Sequence, residues 1–202
     1  MTAIYLIRHG EIPQSEPRRF VGQRNLLLTD IGRKQIAGLS EALASCSFDQ
    51  VICSPLSRCI ESANILCTRL GGVPDVVPNL CEISLGAWEG LTADEVRERF
   101  PGCYEAREMD LAGFRPSGGE SFIDLLNRVW PSFENLVNGP HDRVAVVAHS
   151  GVNRVLLCRI LDIPLGNLLR LEQHYGCLNI IHHTKNGFQV ESINCRPWPA
   201  GR

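Results

Sequence analysis

Val144-Ala145-Val146-Val147-Ala148-His149-Ser150-Gly151 is the stretch from which the rest of the chain can be read. Its unbroken run of small and β-branched apolar residues fits a strand covered on both faces, because a half-wet strand would alternate with polar residues. The run stops at His149-Ser150-Gly151, and helix-period residues follow from about Val152 to Leu161. Ala3 to Ile7 is a second such run and ends in Arg8-His9-Gly10. Gln50 to Cys53 is a third and ends in Ser54-Pro55-Leu56-Ser57-Arg58. Apolar runs that alternate with helical segments make βα units, which places the chain in the α/β class.

The remaining segments fit the same plan. Thr29 is placed to cap a helix reaching about Ala44, with Ile36, Leu39 and Leu43 on one face. Leu56 to Leu70 reads as a helix that Gly71-Gly72 stops, and Asp75 to Val77 as a short strand. Thr92-Ala93-Asp94-Glu95 is a capping box opening a short helix that Pro101 must end. Phe122, Leu125, Leu126, Val129, Phe133, Leu136 and Val137 share the face of a long amphipathic helix, in which Pro131 should introduce a kink. Cys177 to His183 and Phe188 to Ile193, joined at Asn186-Gly187, form a terminal antiparallel hairpin; the tail from Cys195 to Arg202 reads as irregular. The expected fold is a single domain over residues 1–202, a three-layer α/β/α sandwich with a mostly parallel central sheet. An irregular, partly helical insert is expected at about residues 80–115. Glu82 to Asp124 carries ten acidic residues against four arginines, which reads as the solvated outside of that insert.

With 202 residues, 44% hydrophobic and 21% charged, the composition is that of a globular chain and excludes a disordered one. No apolar run approaches a membrane span, and the N-terminal stretch reads as a strand, not a signal peptide. A net charge of −2 argues against a general nucleic-acid binder. The nine cysteines are odd in number and mostly sit inside apolar runs, as small buried hydrophobes in a reducing compartment would. The expected location is the cytoplasm. His182 and His183 are neighbours on a strand, point to opposite faces and cannot share a metal; no metal site and no cofactor are expected. Oligomeric state is not readable, although the edge of the terminal hairpin offers a strand for pairing.

Function is read from the three strand ends. In an open α/β sheet, ligands bind beyond the carboxyl ends of the strands. A lone histidine there is more often structural than catalytic, and an arginine near a helix N-terminus opposes the helix dipole. Here two histidines and two arginines, His9, His149, Arg8 and Arg58, are delivered to one edge. Two guanidiniums present forked donors that match phosphate oxygens. The helix after Ser150-Gly151 would add free N–H groups. A phosphoryl group is the occupant this chemistry favours.

Leu6-Ile7-Arg8-His9-Gly10-Glu11 resembles the opening signature of the histidine phosphatase superfamily, the phosphoglycerate mutase-like proteins. Ser54 to Ala63 resembles the family's second arginine motif, and Glu82 to Leu91 the segment with its acidic catalyst. Gly118-Gly119-Glu120-Ser121-Phe122 and Val147-Ala148-His149-Ser150-Gly151-Val152 follow in the family order. The resemblance covers nearly the whole chain. It implies that His9 is a nucleophile forming a phosphohistidine, with one ring nitrogen donating to a backbone carbonyl to leave the other free. Arg8, Arg58 and a protonated His149 would hold the phosphoryl oxygens. Glu82 would act as general acid and then base, which calls for a partly dry setting of the kind Leu80, Ile83 and Leu85 supply. Ser150, Gly151 and Arg19 are further candidates for substrate binding. Ile12, Ser15 and Val21 depart from the family pattern at accessory phosphate positions.

The implied activity is metal-independent hydrolysis of a small phosphorylated metabolite. Residues 82–91 and 118–122 look most like α-ribazole phosphatases and broad-specificity phosphatases, so α-ribazole 5′-phosphate is one expected substrate. Two other readings stay open. A cofactor-dependent phosphoglycerate mutase would use the same phosphohistidine, although Trp88 to Thr92 lacks the Arg-His-Tyr-Gly such enzymes carry. A catalytically silent binding module for phosphorylated ligands would need neither His9 nor Glu82.

Overall fold

Strand β1 (Thr2–Arg8) lies at the centre of a six-stranded sheet, between β4 (Arg143–Ala148) and β5 (Leu178–Thr184). The computed structural model describes residues 1–197. Strand β2 (Gln50–Cys53) flanks β4 on its other side, β3 (Asp75–Val76) forms one edge and β6 (Gly187–Cys195) the other, giving the order β3-β2-β4-β1-β5-β6. β1, β2, β3 and β4 are mutually parallel, β5 runs antiparallel to β1, and β6 antiparallel to β5. The sheet is therefore mostly parallel, as the apolar runs imply.

Strand alternation divides the apolar residues between two cores. Ile4, Leu6, Val144, Val146 and Ala148 face helices α5 (Phe122–Val137) and α6 (Ser150–Ile160). Ile7, Ala145 and Val147 face α1 (Asp30–Ala42) and α2 (Ser57–Leu70). Both sheet faces are thus covered, which completes the α/β/α sandwich. The helix starts follow local capping chemistry: the Thr29 hydroxyl accepts from Gly32 N–H, and Ser121 and Asp124 form a reciprocal box at the start of α5. Helix α5 continues through Pro131.

Residues 80–115 contain single 3-10 turns at Pro78–Leu80 and Gly86–Trp88, then α3 (Ala93–Arg99) behind the Thr92 capping box. The chain reverses at Gly102, whose φ of 77° favours glycine, into α4 (Cys103–Met109). The sequence reading lacks α4, and the reason is physical: none of its residues is buried, so it carries no apolar period. Trp88 is a core residue, 1% exposed, packed against Phe20, Tyr104 and Phe114. The tail expectation is corrected at its first residue, since Cys195 pairs with Leu178 in the hairpin. Residues 198–202 of that expected irregular tail lie outside the described residues.

The register sets the carboxyl ends of the three adjacent strands level. Arg8 lies beside Ala148, and Cys53 beside Val147. The residues that follow each strand, His9, Ser54 and His149, are thereby brought to one edge. The turn after β1 is pressed against the first turn of α1, where a Cβ on Gly10 would run into the Gly32 carbonyl and a Cβ on Gly32 into the Glu11 backbone. Gly10→Ala is therefore expected to destabilise the fold by about 1–3 kcal/mol, the usual range for overpacking. Urea unfolding measures it, and an unchanged midpoint would show that the turn yields freely.

Candidate active site

His9 and His149 meet at this edge with ring centroids 5.2 Å apart and planes inclined by 64°. Both rings are buried. The His9 Nδ1 lies 2.7 Å from the Gly10 carbonyl oxygen, which can only accept, so Nδ1 carries the proton and Nε2 keeps its lone pair. This is the tautomer the sequence reading requires. Burial, reinforced by the charges of Arg8 and Arg58, pushes the His9 pKa well below 6.5, while the Gly10 hydrogen bond acts weakly the other way.

His149 is held by two polar neighbours. Arg58 Nε donates to its Nδ1 at 3.2 Å, and Ser54 Oγ lies 2.7 Å from its Nε2. Because a guanidinium only donates, Nδ1 is bare and the ring proton sits on Nε2, directed at Ser54. Burial first, then the neighbouring Arg58, His9 and Arg8, hold the His149 pKa well below 6.5. Burial and the hydrogen bond from Arg58 both favour the neutral ring.

Arg58 is buried at the first turn of α2, 1% exposed. Its unfavourable place against the helix dipole is offset by backbone acceptors: Nη1 donates to the Arg24 carbonyl at 2.7 Å and Nη2 to the Gly22 carbonyl at 2.9 Å. One hydrogen remains on each terminal nitrogen. Arg8 is braced differently. Its guanidinium stacks 3.7 Å above the Tyr175 ring, and Nη1 donates to the Gln173 carbonyl. Its Nε is buried and has no partner among the described residues, a donor that an anion would satisfy.

Gln173 is itself held by a buried amide triad. Asn153 Nδ2 on α6 donates to its Oε1 at 3.0 Å, its Nε2 donates to Asn179 Oδ1 on β5 at 2.7 Å, and Asn179 Nδ2 donates to the Leu6 carbonyl on β1 at 2.9 Å. The triad joins both sheet neighbours and a helix to the loop under Arg8.

Glu82 reaches the same edge and is 9% exposed. Its Oε1 accepts from Ile83 N–H at 2.9 Å and its Oε2 from Gly151 N–H at 3.1 Å. Gly151 thus serves the carboxylate, and a Cβ there would collide with it; the expected role of its N–H toward an anion is corrected accordingly. The Glu82 carbonyl is gripped by Gln23 Nε2 at 2.8 Å and by Arg128 Nη2 at 3.3 Å. Arg128 is fixed in turn by a bidentate pair with Glu120, which also accepts from Ser84 N–H.

The structure brings together Arg8, His9, Arg58, Glu82 and His149. Ser150 and Arg8 line a cavity of about 830 Å³. Arg19 lies on the rim, but its guanidinium is bound by Glu95 at 2.7 Å and by the Gly90 carbonyl at 2.7 Å, so it ties the rim to α3. Sequence reasoning does not single out Ser54, Tyr175, Gln173 or Arg128. Ser54 and Glu120 stand within the quoted motifs, whereas Tyr175 and Gln173 have no pattern to mark them.

The chain is 34% identical over 188 residues to the bifunctional protein Rv2228c of Mycobacterium tuberculosis, covering 92% of this chain and 51% of that protein. It therefore spans about half the length of that relative. It is 32% identical over 172 residues to the glucosyl-3-phosphoglycerate phosphatase of Mycolicibacterium vanbaalenii, covering 81% of this chain and 76% of that protein. The solved α-ribazole phosphatase of Shigella flexneri superposes with a TM-score of 0.89 at 25% identity, covering 100% of each chain. The sequence profile of the histidine phosphatase superfamily (branch 1) matches residues 4–196, and the chain belongs to that family.

Proposed function

We propose that this chain hydrolyses a small phosphomonoester through a phosphohistidine on His9. The observation that carries the reading is the hydrogen bond from His9 Nδ1–H to the Gly10 carbonyl, which leaves the Nε2 lone pair free for attack. In the first step the Nε2 lone pair attacks phosphorus in line; the P–N bond forms, the P–O bond to the alcohol breaks, and Glu82 gives its proton to the leaving alkoxide. In the second step Glu82 takes a proton from water, the water oxygen attacks phosphorus, the P–N bond breaks and inorganic phosphate leaves. Arg8 and Arg58 hold the equatorial oxygens throughout. His149 stays neutral through both steps, its Nδ1 accepting from Arg58 and so orienting that guanidinium.

No step calls on a metal. The chain is a hydrolase of the histidine phosphatase family, and its likeness to an α-ribazole phosphatase over the full chain supports α-ribazole 5′-phosphate as one substrate to be tried. Its nine cysteines are all unpaired, in keeping with a reducing cytoplasm, and no helix among the described residues is long and apolar enough to cross a membrane.

His9→Ala is expected to remove both turnover and the acid-labile phosphoryl label left after quenching with a labelled ester; normal turnover in a folded variant would refute the nucleophile. Glu82→Gln should slow alkyl phosphates by about 10²- to 10⁴-fold, the range for a general acid, and aryl phosphates much less; equal losses on both would remove Glu82 from the proton transfer. At pH 6.5, where an ordinary histidine is half protonated, His9 and His149 should be overwhelmingly neutral. A ring titration by NMR measures this, and a His9 midpoint at or above 6.5 would contradict the buried, cation-flanked setting.

A further inference from the structure

The readiness of His9 rests on one acceptor, the Gly10 carbonyl, because that contact decides which ring nitrogen keeps its lone pair. The backbone around this acceptor is paired at every polar group from His9 to Glu11. His9 N–H donates to the Ala148 carbonyl at 3.1 Å, and the His9 carbonyl accepts from Gly176 N–H at 2.9 Å. Gly10 N–H donates to Ser62 Oγ at 3.2 Å, and the Glu11 carbonyl accepts from Thr29 N–H at 2.9 Å. The remaining group, Glu11 N–H, donates at 2.9 Å to Oε1 of Gln35, a half-buried residue of α1.

The Gln35 bond differs from the others in what it reaches. Glu11 N–H and the Gly10 carbonyl belong to one planar peptide unit. Gln35 therefore grips, at one end, the same plane whose other end accepts from His9 Nδ1 at 2.7 Å. Gly10 has no side chain to restrict rotation of that plane. Gly32, three residues before Gln35, lies so close that a Cβ on it would meet the Glu11 backbone N and O, so α1 approaches the peptide without a side chain in the way. Polarisation acts in the same direction, since a peptide whose N–H donates becomes a better acceptor at its carbonyl.

Resting on the phosphatase reading, we propose that Gln35 is a positioning residue for the nucleophile. By holding Glu11 N–H it keeps the Gly10 carbonyl aimed at His9 Nδ1, so the ring proton stays there and the Nε2 lone pair stays available. Without the Gln35 acceptor the peptide turns, the Nδ1 proton loses its partner, and the ring divides between two neutral tautomers. Only one of these can attack phosphorus. Arg8 and Arg58 keep their places, so the loss falls on attack and not on phosphate binding.

Two substitutions separate the acceptor from the bulk. Gln35→Leu removes the acceptor while keeping a good helix former, and Gln35→Glu keeps an acceptor oxygen. In a single turnover, the phosphoryl label should appear on Gln35→Leu roughly 3- to 10-fold more slowly than on wild type, the worth of one ordinary hydrogen bond. Its affinity for inorganic phosphate should stay within about twofold of wild type, as for an interaction that serves the reacting state alone. Gln35→Glu should recover most of the rate. Nitrogen NMR shifts of the His9 ring read the tautomer without turnover: wild type and Gln35→Glu should show a protonated Nδ1 and a bare Nε2, and Gln35→Leu a mixture. The NMR comparison holds even if the wild type releases no phosphate, so failure of the phosphatase reading is told apart from failure of the Gln35 role. A wild-type tautomer in folded Gln35→Leu overturns that role, whether the rate is unchanged or slowed, because Gln35 would then be structural only. Should Gln35→Leu not fold, Gln35→Met, unbranched and also a good helix former, takes its place in each measurement; failure of both to fold likewise marks Gln35 as structural and overturns the role.

Discussion

The site is governed by the cost of gathering cations in a dry place. Arg8 and Arg58 keep their charge because a guanidinium is too basic to lose it, so their neighbours must give way. His9 and His149, buried between them, are held neutral. Burial first, and this repulsion after it, therefore produce two useful states. His9 keeps a lone pair for attack, and His149 accepts a hydrogen bond from Arg58 that a charged ring would refuse. A phosphoryl dianion relieves the same repulsion, so substrate affinity and nucleophile preparation share one origin.

This concentration of charge needs a rigid frame. The level register of β2, β4 and β1 supplies the coarse alignment, and buried polar clamps supply the fine one. The amide triad of Asn153, Gln173 and Asn179 ties the Arg8 brace to a helix and two strands. Glu120 and Arg128 pin the backbone that carries Glu82. The Glu120–Arg128 clamp satisfies its groups mutually, whereas the triad leaves Asn153 Oδ1 buried without a partner among the described residues.

Much of this was legible in the sequence because it depends on local signals. Unbroken apolar runs at β1, β2 and β4 declare strands covered on both faces, and the residues after them declare the edge where chemistry gathers. The capping box at Thr92 places one helix start to the residue. What stayed illegible depends on neighbours distant in sequence. Helix α4 buries nothing and so leaves no period. The neutrality of His149 follows from its burial and then from Arg58, 91 positions away in the chain. Arg19 looks like a free cation until α3 brings Glu95 to it. Tyr175 acquires meaning only from the guanidinium that lies over it.

The anchoring of Glu82 separates two kinds of change. Its carboxylate and carbonyl are held by Gly151, Ile83, Gln23 and Arg128, none of which belongs to α3 or α4. Those helices join the body through Trp88 and the aromatic rings around it, through Val96 of α3 and through the Arg19–Glu95 pair, and no residue of α4 is fully buried. Evolution can thus remodel that flap, lengthening or recharging it to suit new alcohols, while the proton donor stays in register with the nucleophile. Diversity of diet at constant chemistry is the expected history of such a scaffold.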